Sequence, residues 1–192
     1  MTGQTLILGY GSLLWDLDDL APHVRGGWRM AAGPALPLEF SRVSPKRKLS
    51  LVVVIDTLAG APCPTHVIDS ARGSVAEAVA DLAARERTEA AHIGWVDAAT
   101  GASRSNRAGV AGTVRDWCEA TGARGAVWTD LDGNFERATG APFTIARGIA
   151  YLKTLEGDGL AAAREYIDGA PVQTDTPLRR ALNADPWWRT PG

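Results

Sequence analysis

Two cysteines in 192 residues are too few to frame a disulfide-stapled fold, and Cys63 and Cys118 stand too far apart in the chain to form a metal-ligand pair. Histidine is almost as scarce. His23, His66 and His92 are scattered and lack the His-x-x-x-His spacing of a zinc site, so no metal requirement is expected. No apolar run approaches the ~20 residues that span a bilayer. No basic segment followed by an apolar run and a cleavage site opens the chain, so no export signal is expected. These absences predict a cytoplasmic protein with reduced thiols and no membrane partner. An excess of one charge is lacking too. The net charge is −2, which provides no field for nucleic acid or an anionic surface. The short basic cluster Lys46-Arg47-Lys48 reads as a solvated loop. Repeats, low-complexity tracts and long linkers are missing as well. The length suffices for one domain with a sizeable core, so residues 1–192 are predicted to form a single domain, mainly helical from residue 142 onward.

What is present centres on Leu6-Ile7-Leu8-Gly9-Tyr10-Gly11-Ser12-Leu13-Leu14-Trp15. The first three residues read as a short buried strand. Gly9 and Gly11, without Cβ atoms, let the backbone turn sharply or approach a ligand closely. Such a loop aims N–H groups at an anion or a developing oxyanion, or it is simply a tight turn. It is not a dinucleotide fingerprint. Leu14 occupies the place of the third small residue, and no clean helix follows before Pro22 and Gly26-Gly27. The phosphate loop ending in Gly-Lys-Ser/Thr is absent.

Further along, Leu36, Leu38 and Phe40 alternate with Pro37, Glu39 and Ser41, the period of a half-buried strand. Leu49 to Asp56 is the strongest strand of the chain, and the two segments read as a hairpin around Ser44-Pro45-Lys46-Arg47. Gly60 to Pro64 reads as a loop and Thr65 to Ile68 as another strand. Ser74 to Thr88 is the best helix, with Ser74 and Glu77 forming a capping box. Val75, Ala78, Val79 and Leu82 supply its apolar face. Glu86 continues that face, while Arg85, Arg87 and Glu89 are able to point elsewhere. Strands are predicted at Ile93 to Asp97 and Ala126 to Thr129. Helices are predicted at Val110 to Ala120, stopped by Gly122; at Thr144 to Glu156, ended by Gly157; at Leu160 to Asp168; and at Asp175 to Ala184. Strands in the first half and helices in the second give an α+β class.

Gly9-Tyr10-Gly11-Ser12-Leu13-Leu14-Trp15, followed later by Leu82-x-x-Arg85-Glu86, resembles the γ-glutamylcyclotransferase superfamily, in particular its ChaC-like branch. Phe40-Ser41-Arg42 and the Leu-Val-Val-Val-Ile-Asp segment stand where such proteins have central barrel strands. The resemblance implies a small mixed, partly closed β-barrel flanked by helices, with no metal or organic cofactor. It implies Glu86 as the catalytic residue, and Tyr10, Gly11, Ser12, Leu13 and Arg42 as contacts to a small-molecule γ-glutamyl substrate. ChaC-like enzymes acting on glutathione usually carry a His-Arg-Gly-Thr segment after the second strand. Here that region reads Ser41-Arg42-Val43-Ser44-Pro45-Lys46-Arg47, so the resemblance supports a reaction type and leaves the substrate among γ-glutamyl amines, peptides and related amides.

The residues suit that chemistry. In a γ-glutamyl compound the free α-amine can attack the γ-carbonyl, closing 5-oxoproline and expelling an amine or peptide. The attack is intramolecular and needs no enzyme nucleophile. It needs a folded substrate, a proton acceptor and donors for the oxyanion. A carboxylate on an apolar helix face has its pKa raised by desolvation toward the ~6–7 useful for this work. Alternatives stay open at each position. Ser12 is a nucleophile or a structural hydroxyl, Tyr10 a contact or a packing residue, and Glu86 a base or the partner of Arg42, Arg85 or another arginine. Trp15 is the tryptophan expected beside the pocket. A hydrolase that activates water through Glu86, and a non-catalytic module for small carboxylates, are the competing functions.

Overall fold

The computed structural model describes residues 3–189. In chain order the strands are β1 Thr5–Gly9, β2 Val24–Arg29, β3 Ala35–Ser44, β4 Ser50–Ile55, β5 Ala61–Pro64, β6 His66–Ser70, β7 Ile93–Asp97, β8 Ser103–Arg104 and β9 Gly125–Thr129. The helices are α1 Val75–Glu86, α2 Val110–Thr121, α3 Phe135–Thr139, α4 Ile145–Leu152, α5 Gly157–Asp168, α6 Pro177–Ala184 and α7 Pro186–Arg189. The class is α+β, as the sequence pattern predicts. No helix among the described residues is long and apolar enough to cross a membrane. The chain divides into two compact units, each assembled from two stretches: residues 1–36 with 64–131, and residues 37–63 with 132–192.

The first unit is built on a six-stranded sheet in the order β2-β6-β1-β9-β7-β8. β1 and β9 run parallel in the middle, with Leu8 beside Trp128, and the other neighbours are antiparallel. Among the described residues no pairing joins β2 to β8. The apolar stripe of α1 covers one face. Val75, Ala78, Val79, Leu82 and Ala83 pack with Ile7, Leu13, Leu20, Ile68, Ile93 and Val127. Burial of each large aliphatic side chain contributes about 1.5–3 kcal/mol. The predicted cap is present. Ser74 accepts from the Glu77 N–H at 3.3 Å, and its hydroxyl donates to the Glu77 carboxylate at 2.7 Å. The helix stops at Glu86, two residues short of the predicted end, because Arg87 turns left-handed at φ 54° and its N–H caps Ala83 and Ala84.

Gly9 lies in β1, and the space its missing Cβ leaves is taken by the Trp28 ring and Leu14. Its lack of a side chain therefore admits an indole, whereas the sequence allowed close approach of a ligand. Gly11, at φ +61°, is the glycine whose conformation the turn requires.

In the second unit β3 and β4 form the predicted hairpin, with Leu38 opposite Ile55 and Ser44 opposite Ser50, and β5 completes a three-stranded sheet. The segments expected as central barrel strands thus pair with each other and with β5. β5 itself falls in the predicted Gly60–Pro64 loop. α5 packs on β4, and Phe40 meets Tyr166 edge-on. Glu39 is buried and accepts from the N–H groups of Phe40 at 2.7 Å and Leu178 at 3.0 Å, tying β3 to the start of α6. Gly157 opens α5 rather than ending α4, which stops at Leu152. The short helices α3 and α7 carry too few residues to show a period in the sequence.

Candidate functional site

β1 and β9 end side by side, and the chain leaves each at the same level. Beyond β1, Tyr10 is extended and Gly11–Leu14 closes a 3-10 turn. The Ser12 carbonyl accepts from the N–H groups of Asp16 at 2.9 Å and Trp15 at 3.3 Å, which sets the loop. Leu13 is buried in the α1 core, so its side chain anchors the turn and only its backbone is available to a ligand. The Tyr10 hydroxyl donates to the carbonyl of Thr129, the last residue of β9. Trp15 is partly exposed beside this loop.

Glu86 reaches the same place from the last turn of α1. Its Oε1 accepts from Arg85 Nη1 at 2.7 Å and from the Thr129 hydroxyl at 3.2 Å. Arg85 Nη2 donates in turn to the Asp16 carbonyl at 2.5 Å and to Ser12 Oγ at 3.4 Å. One guanidinium therefore touches both the glycine loop and the carboxylate, and Thr129 links Glu86 to Tyr10. The pair is well enclosed, with side chains 8% and 15% exposed for Arg85 and Glu86. A carboxylate at a helix C-terminus is opposed by the helix dipole, and the adjacent guanidinium offsets that.

Tyr10, Gly11, Ser12, Leu13 and Glu86 thus gather in the first unit. Arg42 lies in β3 of the second unit, where its guanidinium donates to the Asp132 carbonyl. Among the described residues the Ser12 hydroxyl hydrogen-bonds a guanidinium, which is a donor, and no histidine, lysine or carboxylate. That arrangement matches a structural hydroxyl rather than an activated nucleophile. Among the described residues no group of three or more His, Cys, Asp or Glu could hold a metal ion.

Thr129 and Asp130 are the residues that sequence reasoning missed. Arg85 is one of the arginines the sequence leaves open as a partner of Glu86, and the structure makes that pair. It is buried and also organises the loop. Thr129 lies 43 residues from Glu86 and carries no local signal of the contact. Asp130 is buried, accepts at Oδ2 from Ser105 Oγ at 3.0 Å and from the Asn106 N–H, and has its own N–H on the His92 carbonyl at 2.8 Å.

No family model, curated protein or solved structure matches the chain.

Proposed function

We propose that the chain is a γ-glutamylcyclotransferase-like enzyme, in which the α-amine of a γ-glutamyl compound attacks its own γ-carbonyl and releases 5-oxoproline with an amine or peptide. The observation that carries the reading is the convergence of the Tyr10–Leu13 turn and Glu86 on one guanidinium and one threonine. The reading rests on residues of the first unit alone. In it, Glu86 takes a proton from the attacking nitrogen and returns it to the leaving nitrogen as the C–N bond breaks. N–H groups of the Tyr10–Leu13 turn and the Arg85 guanidinium stabilise the oxyanion. The nucleophile belongs to the substrate, so the scheme assigns no role to a metal or an organic cofactor. The mixed sheet, with its parallel β1–β9 pair among antiparallel neighbours, is the wall of a small, partly closed barrel on the same reading, and the substrate is met in the cytoplasm.

A second reading, a non-catalytic module for a small carboxylate, is favoured by one contact. Glu86 is engaged by Arg85, which is the arrangement of a structural ion pair. Incubation with a panel of γ-glutamyl amines and dipeptides, with products identified by mass, separates the possibilities. 5-Oxoproline supports the cyclotransferase, free glutamate supports a hydrolase, and unchanged ligand that nonetheless binds supports the module.

A further inference from the structure

Glu86 is the last residue of α1, and its carboxylate is held unevenly. Oε1 accepts twice, from Arg85 Nη1 at 2.7 Å and from the Thr129 hydroxyl at 3.2 Å. Oε2 accepts from none of the described residues, and it keeps some of the accessible surface of this side chain. A proton placed on Oε1 would displace one of two charge-assisted hydrogen bonds, whereas a proton on Oε2 displaces none. The two donors also do different work. Arg85 precedes Glu86 in the same helix, so their pair ties the carboxylate to α1. Thr129 stands on β9, and among the described residues its hydroxyl makes the one side-chain hydrogen bond between Glu86 and the sheet. Alternation along β9 points Thr129 to the same face as Val127, which packs in the α1 core. A β-branched side chain on a strand has little freedom at χ1, so the hydroxyl is delivered from a fixed place. The Tyr10 hydroxyl donates to the Thr129 carbonyl, so the same residue is tied to the glycine turn as well.

We propose that Thr129 is a positioning residue for Glu86: its hydroxyl, together with Arg85, fills Oε1 and presents Oε2 as the oxygen that exchanges a proton with the substrate nitrogens. This rests on the γ-glutamyl reading and adds which oxygen acts and what aims it. Oε2 takes the proton as the bond from the α-nitrogen to the γ-carbon forms. It returns the proton to the leaving nitrogen as the old C–N bond breaks. Thr129 acts through Glu86 alone.

The test is Thr129→Val, which keeps the β-branched shape and removes the donor, beside Thr129→Ser, which keeps the donor and loses a methyl group. The substrate is γ-glutamylalanine, followed as 5-oxoproline released. Thr129→Val should lower kcat by about 10-fold, less than the ~10²-fold of a full 1 Å displacement because Arg85 still holds Oε1. KM should stay within about two-fold, since the lost contact serves the transition state and not substrate binding. Thr129→Ser should recover at least about a third of the parent kcat, since the hydroxyl that aims the carboxylate is retained. In a Glu86→Gln background, Thr129→Val should change the residual turnover by less than about two-fold, because the group it acts through is already gone. A parent-like kcat in Thr129→Val overturns the proposal. So does a Thr129→Ser protein as slow as Thr129→Val, which marks packing, and so does a raised KM at unchanged kcat, which marks a substrate contact. An equal loss in both Glu86 backgrounds overturns it too. If melting shows that Thr129→Val does not fold, Thr129→Ala takes its place with the same expectations. If the unaltered protein releases no 5-oxoproline from any γ-glutamyl compound, the γ-glutamyl reading fails and this proposal falls with it. An active parent with an equally active Thr129→Val leaves that reading standing and removes only the role of Thr129.

Discussion

Replacing Glu86 by glutamine removes the one proton acceptor in the proposed reaction while keeping its shape. The amide oxygen can still accept from Arg85 and from Thr129, so both hydrogen bonds survive in weaker form. What is lost is the charge beside a largely buried guanidinium. Arg85 keeps its donations to the Asp16 carbonyl and Ser12. The expected cost is about 1–3 kcal/mol, below the ~3–5 kcal/mol of an ion pair broken outright, which Glu86→Leu should approach. For a chain of this size each kcal/mol lowers the melting temperature by about 2–4 °C, so Glu86→Gln should melt about 2–12 °C lower and remain folded at room temperature. Turnover, followed as 5-oxoproline released, should fall by about 10²–10⁴-fold. Glu86→Asp retains the charge but withdraws it by one methylene. An error of ~1 Å at a reacting group costs about 10²-fold, so that variant should also be slow while melting close to the parent. Full activity in Glu86→Gln would refute the general-base role. Loss of activity that only follows a melting drop beyond about 15 °C would refute it too, because the pair would then be acting through stability alone.

Three further outcomes follow from the packing. Gly9→Ala places a methyl group into the Trp28 ring and should destabilise the fold by about 1–3 kcal/mol in chemical denaturation; a neutral result would show that the indole is free to move aside. Burial pushes the Cys63 thiol up and the Cys118 thiol up to about 11, so neither should react with iodoacetamide at pH 8 until denaturant is added, and rapid labelling of the native protein would contradict this. Burial also raises the Glu39 carboxyl above its ordinary 4.5, in spite of its hydrogen bonds to Thr176, Phe40 and Leu178. Between the ordinary value and the folded one, the native state holds a proton that the unfolded chain has released. Glu39 therefore adds stability that is fully present below pH 4.5 and is lost as the pH rises through its folded value. Glu39→Gln should flatten that part of the stability–pH curve, and a profile identical to the parent's would remove Glu39 as its source.

Local chemistry determined much of the fold on its own. The β-branched run at Leu51–Ile55, the Ser74/Glu77 cap and the spacing of Val75, Ala78, Val79 and Leu82 each express a short-range preference, and the strand and helix stand where those preferences put them. The glycine turn at Gly11 was equally legible, because its positive φ is a backbone demand that the residue type itself reveals. Where local signals failed, the deciding interaction lay far away in the chain. Gly9 reads as an opening for a ligand until β2 brings Trp28 across it. Arg85 reads only as one of several partners open to Glu86 until the loop at Ser12–Asp16 supplies a carbonyl and a hydroxyl for its guanidinium. Glu86 was visible as an acidic residue on an apolar stripe, but Thr129 was not visible as its neighbour. The parallel pairing of β1 with β9 joins segments separated by more than half the chain, and it alone puts Tyr10 level with Asp130 and the Thr129 hydroxyl on Glu86. Hydrophobic period and turn chemistry act over a few residues and can be read from the sequence. A hydrogen bond made across a sheet depends on which strands become neighbours, and the burial of the whole first-unit core makes that choice.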